Sequence, residues 1–258
     1  MKWWMESKQM TEDIEKKPER EEVEGRLIGA DSGDPTLYSE AASLYDRINL
    51  SVSFGNGYSY RREEISALDI EPGARVLDIG SGTGILARAA MNSTGITGRV
   101  VALDPCPEML QIARASGVTE TVVGSVDDLP FENDTFDVVT AGYSLRYARG
   151  VEHGLAQIRS VLKPGGKVLI LEITPPRNRV LRALTRAYIL VGARAIALLA
   201  TRSLTSQRLL GHLWNEIRTT PQPEEFTEML RTAGFERCTC RRKYGMLTAY
   251  TGFKSPDT

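Results

Sequence analysis

Between Asp78 and Gly84 the chain reads Asp-Ile-Gly-Ser-Gly-Thr-Gly, with three glycines at alternate positions. The segment closes the short apolar run Arg75–Gly80 and opens a helical pattern through Leu86 and Ala90. Glycines at such a junction let the backbone turn tightly and approach a bound ligand closely. The Lys-Ser/Thr pair of a phosphate-gripping P-loop is missing. Instead an acid stands two residues before the first glycine. A carboxylate there repels a pyrophosphate and attracts an ammonium through a charge-assisted hydrogen bond. The predicted ligand therefore carries an amino group near Asp78, Gly80, Ser81 and Gly82.

The loop sits inside a regular alternation. Strands are predicted at Arg75–Gly80, Arg99–Asp104, Thr121–Gly124, Phe136–Thr140 and Lys167–Glu172. Helices are predicted at 37–68 (broken at 54–57), from Leu86, at Glu108–Ala115 and over 150–162, and Lys163–Gly166 reads as a turn. Strands alternating with helices imply a parallel sheet covered on both faces. The last third differs: 178–218 and 222–234 read as helices, and 236–243 with 246–253 as a closing antiparallel hairpin. The expected organisation is a charged, flexible N-terminal arm over residues 1–34 and a single domain over 35–258. Residues 35–70 form its N-terminal helices and 175–220 a helical cap. The arm reading rests on charge: residues 1–40 carry 11 acidic and 6 basic side chains.

The whole chain of 258 residues balances 32 basic against 33 acidic side chains, which argues against non-specific nucleic-acid binding. Cys106, Cys238 and Cys240 cannot build a disulfide framework and have no zinc-ligand spacing, so no metal is expected. The N-terminus lacks the apolar core of a secretory signal, and no apolar run reads as long enough to span a bilayer. A cytoplasmic protein is the resulting expectation.

Asp104 ends the second strand, twenty residues past Gly84. A carboxylate there is expected to accept hydrogen bonds from ribose hydroxyls. With Pro105 next in line, a helix N-cap is its competing role. Ser125 and Val126 follow the third strand, where an adenine edge would lie. An amino-acid headgroup, a ribose and an adenine without phosphate make S-adenosylmethionine. On these residues the chain resembles the Rossmann-like class I S-adenosylmethionine-dependent methyltransferases, and more narrowly the ubiquinone/menaquinone biosynthesis C-methyltransferase family, over roughly residues 37–254. The resemblance implies a seven-stranded, mostly parallel sheet with an antiparallel C-terminal hairpin and a helical cap. It also implies that Tyr45 packs over the cofactor; Pro105, Met109 and Tyr143 are expected to border it too, and lining the substrate cavity or ordinary packing are the competing roles of Tyr143 and Tyr147.

One family signature, Tyr-Asp-x-Met-Asn followed by Ser, His and Trp, is met at Tyr45, Asp46, Asn49 and Ser53. Ile48 replaces the Met, Gly57 the His and Tyr60 the Trp. A second is matched closely by Val161–Thr174, which includes the Lys163-Pro164-Gly165-Gly166 turn and Glu172. After the fourth strand the family's Leu-Arg-Asn becomes Leu145-Arg146-Tyr147. Its Tyr-Leu-x-x-Ser-Ile becomes His212-Leu213-Trp214-Asn215-Glu216-Ile217. Ser125 stands where the family has an acid at the adenine site, leaving Asp127 or a water for adenine N6. The departures cluster where the acceptor should sit.

The resemblance implies that Arg146 binds or activates a phenolic substrate. Physically, a cation there lowers a phenol pKa and holds the anion; a structural salt bridge is the competing role. Tyr147 and His212 complete the candidate catalytic set. His153 reads as solvated and remote from the loops. Residues 177–218 hold eight Arg and one Glu among many aliphatics. Such a segment either lies in an anionic membrane interface, which suits a lipid-tailed aromatic acceptor, or packs as a cap helix. The leading reading is ring C-methylation of a polyprenyl benzoquinol or naphthoquinol. A phenolic metabolite, a phospholipid amine and a non-catalytic cofactor-binding role stay open, as does a homodimer.

Overall fold

The computed structural model describes residues 35–256. The expected arm over 1–34 lies outside the described residues. Two helices, α1 (Pro35–Val52) and α2 (Asn56–Ala67), lead into β1 (Arg75–Ile79). Then follow α3 (Ile85–Thr94), β2 (Arg99–Asp104), α4 (Pro107–Ala115), β3 (Glu120–Val123) and β4 (Phe136–Gly142). A 3-10 turn (Leu145–Tyr147) precedes α5 (Val151–Val161) and β5 (Leu162–Ile173). The cap is α6 (Arg179–Ala187), a π-helical stretch (Tyr188–Ala193), α7 (Arg194–Thr201) and α8 (Leu204–Thr219). The chain closes with α9 (Pro223–Thr232), β6 (Phe235–Lys243) and β7 (Leu247–Lys254).

The sheet order is β3-β2-β1-β4-β5-β7-β6. The first five strands pair in parallel, and β7 runs antiparallel to both β5 and β6. Strand order reverses between β1 and β4, and the crevice at the carboxyl ends of such strands is where open α/β sheets bind ligands. β1 and β2 are buried almost throughout, as a sheet covered on both faces demands. One core holds Leu77, Leu103, Val139, Ile158 and Tyr250; the other face holds Val76, Leu86, Ala102 and Leu169.

Two expectations need correction. β5 begins at Leu162, which pairs with Phe136, and the turn expected at Lys163–Gly166 is an irregularity inside the strand. The ladder resumes at Lys167, opposite Val138. The second concerns the apolar run. α6, the π stretch and α7 form one continuous helix of 23 residues, Arg179–Thr201. By length and composition alone it could cross a membrane, spanning about 35 Å. The helix continues through Arg182, Arg186 and Arg194. Its buried side chains, Ala193 and Ala197 among them, pack with Leu37, Ala41 and Leu209 of α1 and α8. Val180, Leu181, Leu184, Val191 and Leu199 are exposed.

Candidate active site

The glycine loop leaves β1 and enters α3. Gly80 has φ +61°, and a Cβ there would lie 2.2 Å from the Ser144 Cβ, so only glycine lets the loop pack on the end of β4. At Gly82 an added Cβ would meet nothing within 4 Å, so the loop faces open space beside the N-terminus of α3.

Asp78 is fully buried beneath this loop. It accepts hydrogen bonds from the Ser81 hydroxyl (2.6 Å), the Thr140 hydroxyl (2.6 Å) and the Ala87 N–H (3.1 Å). Burial pushes its carboxyl up to about 6, against the pull of those three donors. Asp78 thus braces the loop from below, and its charge acts across the loop.

Asp104 accepts from Gly82 N–H (2.7 Å) and Cys106 N–H (2.8 Å), tying the loop to the start of α4. It is not the N-cap of α4: Cys106 is, with Pro107 following, while Pro105 lies exposed before the helix. Tyr45 packs beside Cys106 and buried Met109. Its neighbour Asp46 accepts from the Thr83 hydroxyl in the loop (2.6 Å). Burial raises the Tyr45 hydroxyl; Arg61 opposes this, while Asp104 and Asp46 add to it.

Toward the adenine position, the Ser125 hydroxyl accepts from the Asp127 N–H (3.2 Å), and Val126 turns its side chain into the core. The Asp127 carboxylate is already engaged, accepting from the Arg149 N–H at 2.9 Å. His153 is not remote: its Nε2 lies 3.0 Å from the Asp127 carbonyl oxygen.

The acceptor side is built from long side chains of several elements. Arg146, on the turn after β4, pairs with Glu172 at the end of β5 and lies 3.9 Å from Glu216 of α8. Its side chain is 10% exposed, and its Nε–H is buried without an acceptor. Burial alone would lower the guanidinium pKa; Glu172, Tyr147 and Glu216 overcome it and hold the cation charged. Burial pushes the Glu172 carboxyl up, opposed by Arg146. The Tyr147 hydroxyl donates to Glu216 (2.8 Å) and lies 2.5 Å from the Tyr38 hydroxyl. Tyr143, next to this turn, holds φ +62° with its N–H bonded to the Leu171 carbonyl (2.8 Å).

Arg146 and Tyr147 are therefore brought together, and His212 is not brought to them. His212 is exposed in a cleft with Leu37, Arg194, Gln207 and Asn215. Among the described residues, no hydrogen bond or ion pair engages its ring. Tyr38, Glu172 and Glu216 escaped assignment from sequence. Glu216 had a signal, a charge standing where the family pattern has Ser. Tyr38 had none, since its partner lies 109 residues away.

The residues fit S-adenosylmethionine. Open space lies over Gly82, a helix N-terminus backs it, and Asp104 is oriented by two N–H groups with lone pairs to spare. The sheet order, the antiparallel closing hairpin and this loop define a class I methyltransferase. A family model for the ubiE/COQ5 methyltransferase family matches residues 34–254. The chain is 33% identical over 226 residues to the ubiquinone/menaquinone biosynthesis C-methyltransferase UbiE of Pseudomonas savastanoi pv. phaseolicola, covering 84% of this chain and 87% of that one. With UbiE of Ectopseudomonas mendocina it shares 34% identity over 83% of this chain and 85% of that one. An S-adenosylmethionine-dependent methyltransferase from Thermotoga maritima shares the fold at TM-score 0.60 and 19% identity, covering 85% of this chain and 99% of that one. The chain belongs to the ubiE/COQ5 methyltransferase family and is an S-adenosylmethionine-dependent methyltransferase.

Proposed function

We propose that this protein methylates a ring carbon of a polyprenyl benzoquinol or naphthoquinol, as the names of its relatives suggest. The observation carrying the proposal is the buried, unspent Arg146 Nε–H, on a guanidinium already fixed by Glu172. A phenolic oxygen is the acceptor such a donor lacks. Arg146 would favour the phenolate and so load charge onto the ortho carbon, the nucleophile of the reaction. Bound over the glycine loop, S-adenosylmethionine supplies an electrophilic methyl group. Asp104 would hold its ribose, Gly80, Ser81 and Gly82 would line its amino-acid end above Asp78, and Tyr45, Met109, Tyr143, Ser125 and Val126 would border it. The ortho proton must leave once the new carbon–carbon bond has formed. Glu216, hydrogen-bonded to Tyr147, would take it.

The tail of such an acceptor suits a membrane contact along residues 177–218. The exposed Val180, Leu181, Leu184 and Val191, interleaved with Arg179, Arg182 and Arg186, support that contact. One observation favours a rival acceptor: a carboxylate beside Tyr38 and Tyr147 also suits a protonated amine. Methyl transfer from labelled S-adenosylmethionine to reduced lipid quinols, simple phenols and amines separates these readings. Product on the quinol ring carbon is expected. Transfer to amines alone would overturn the proposal.

A further inference from the structure

His212, which the structure removes from the acceptor side, lines a cleft of about 310 Å³ bounded by α1, α7 and α8. Arg194 of α7 lines it too, as does Arg208, one turn before His212 on α8. The lining includes none of the residues that surround Arg146. Its walls are largely polar, so a prenyl tail has little to pack against there.

Gln207 fixes Arg194 from both ends. Its Oε1 accepts from the Arg194 Nε–H at 3.3 Å, and its Nε2 donates to the Arg194 carbonyl at 2.6 Å. The two Nη groups at the tip of the guanidinium lie beyond that clamp and carry four more N–H donors. Glu40, the one carboxylate in the lining, stands 3.9 Å from Arg208. Asn215 accepts from Arg218 through its Oδ1 at 3.2 Å, which leaves its amide N–H₂ as the end to offer a ligand. Two guanidinia against one carboxylate make the cleft net positive before any proton on His212 is counted.

The floor of the cleft is Gly211, in the middle of α8. A Cβ added there would meet nothing within 4 Å, so no neighbour requires a glycine. Glycine is also a poor helix former. What it does is keep open the space that a side chain would fill. The number of donors then chooses among anions. A carboxylate offers two oxygens in a plane; a phosphate offers more, spread tetrahedrally, and can meet Arg194, Arg208, His212 and Asn215 together. A phosphate fills only part of the volume and leaves room for an ester substituent.

We propose that this cleft binds a phosphate group, gripped by Arg194 and Arg208 with His212 and Asn215 completing the contacts. The site goes beyond methyl transfer and depends on neither the cofactor nor the acceptor. Two sources present such a group: a soluble phosphate and the headgroup of an anionic phospholipid. Arg194 shares its helix with exposed Val191, Leu198 and Leu199, and that apolar surface favours the headgroup.

Two assays on the full chain test it: calorimetry with inorganic phosphate, and sedimentation with phosphatidylcholine vesicles containing phosphatidylglycerol. Arg194→Gln is expected to weaken binding about tenfold, since a charged hydrogen-bonding partner is lost. Arg186→Gln removes the same charge from an exposed position of α6 outside the cleft and should change binding less than about twofold. Gly211→Leu keeps every charge and fills the floor. It should abolish binding while melting no lower than wild type, because leucine favours the helix. A site-dependent loss in calorimetry identifies soluble phosphate as a source, and one confined to vesicles identifies the lipid headgroup; either upholds the site. Equal losses from Arg194→Gln and Arg186→Gln would sink it, as would binding that ignores Gly211→Leu. A wild-type protein that transfers methyl groups yet binds neither probe would refute this site and leave the methyl-transfer reading standing.

Discussion

Around Gly80–Gly84 the chain prepares a ligand site mainly with main-chain groups, whereas around Arg146 it does so with long side chains from β5, α1 and α8. The loop is braced by buried Asp78, and its Gly82 N–H is held by Asp104. Few side chains there can change without breaking a turn. The acceptor side instead relies on Arg146, Glu172, Glu216, Tyr38 and Tyr147, and two of these stand where the family pattern has other residues. A backbone-built site holds one ligand constant, while a side-chain-built site can be altered to suit another. The departures at Tyr147 and Glu216 lie on the alterable side.

The largest effect should come from the acceptor side. Arg146→Met strands Glu172 as a buried, unpaired carboxylate and should cost about 3–5 kcal/mol in urea unfolding. Adding Glu172→Met should restore most of that stability and none of the methyl transfer. If the single variant stays within about 1 kcal/mol of wild type, the pair is not what holds this site.

Next comes the loop. The native Asp78 carboxyl titrates at about 6 against an ordinary 3.8, so the folded state binds the proton more tightly than the unfolded chain. Stability from this group therefore falls as pH rises between those values, by up to about 3 kcal/mol, and the loss is complete above them. Asp78→Asn should lack that slope, read as the difference between the two unfolding curves from pH 4 to 7. An identical slope in both proteins would mean that Asp78 is ionised throughout.

A sharper separation is the double replacement Tyr147→Asn with Glu216→Ser, toward the family pattern. It should change kcat/KM for the acceptor by about tenfold, roughly 1.4 kcal/mol, while leaving cofactor affinity unchanged. A shift in cofactor affinity of the same size would show that the two halves are coupled. The smallest effect lies in α2. The Tyr60 hydroxyl is buried without a partner, so Tyr60→Phe should stabilise by about 1 kcal/mol, raising Tm by a few degrees. A loss of stability would reveal a partner for that hydroxyl.

Much of the fold was legible because strands and helices announce themselves by local period. The strand–glycine–helix junction at 75–90 and the acid ending β2 needed nothing beyond their own neighbourhood. The start of β5 was not legible, because Pro164 and two glycines read as a turn until Phe136 is seen pairing with Leu162. Likewise no apolar run reads as long enough to span a bilayer, yet Arg179–Thr201 folds as one helix with that length and composition. His212 was nominated for its chemistry alone. One turn further along α8, Glu216 is the residue that meets Tyr147.

By itself the sequence determined the parallel sheet, the glycine loop, the carboxylates beneath and beside it, and hence the kind of ligand it can seat. These depend on residues close in the chain, where backbone geometry and side-chain period act directly. Only the tertiary structure decided that Arg146 meets Glu172, that Tyr38 reaches Tyr147, and that the Arg146 Nε–H is left without an acceptor. Those relations join elements from 26 to 109 residues apart, or depend on what is missing from a buried neighbourhood. Burial, which turns a surface charge into a functional one, is a property of the packed chain.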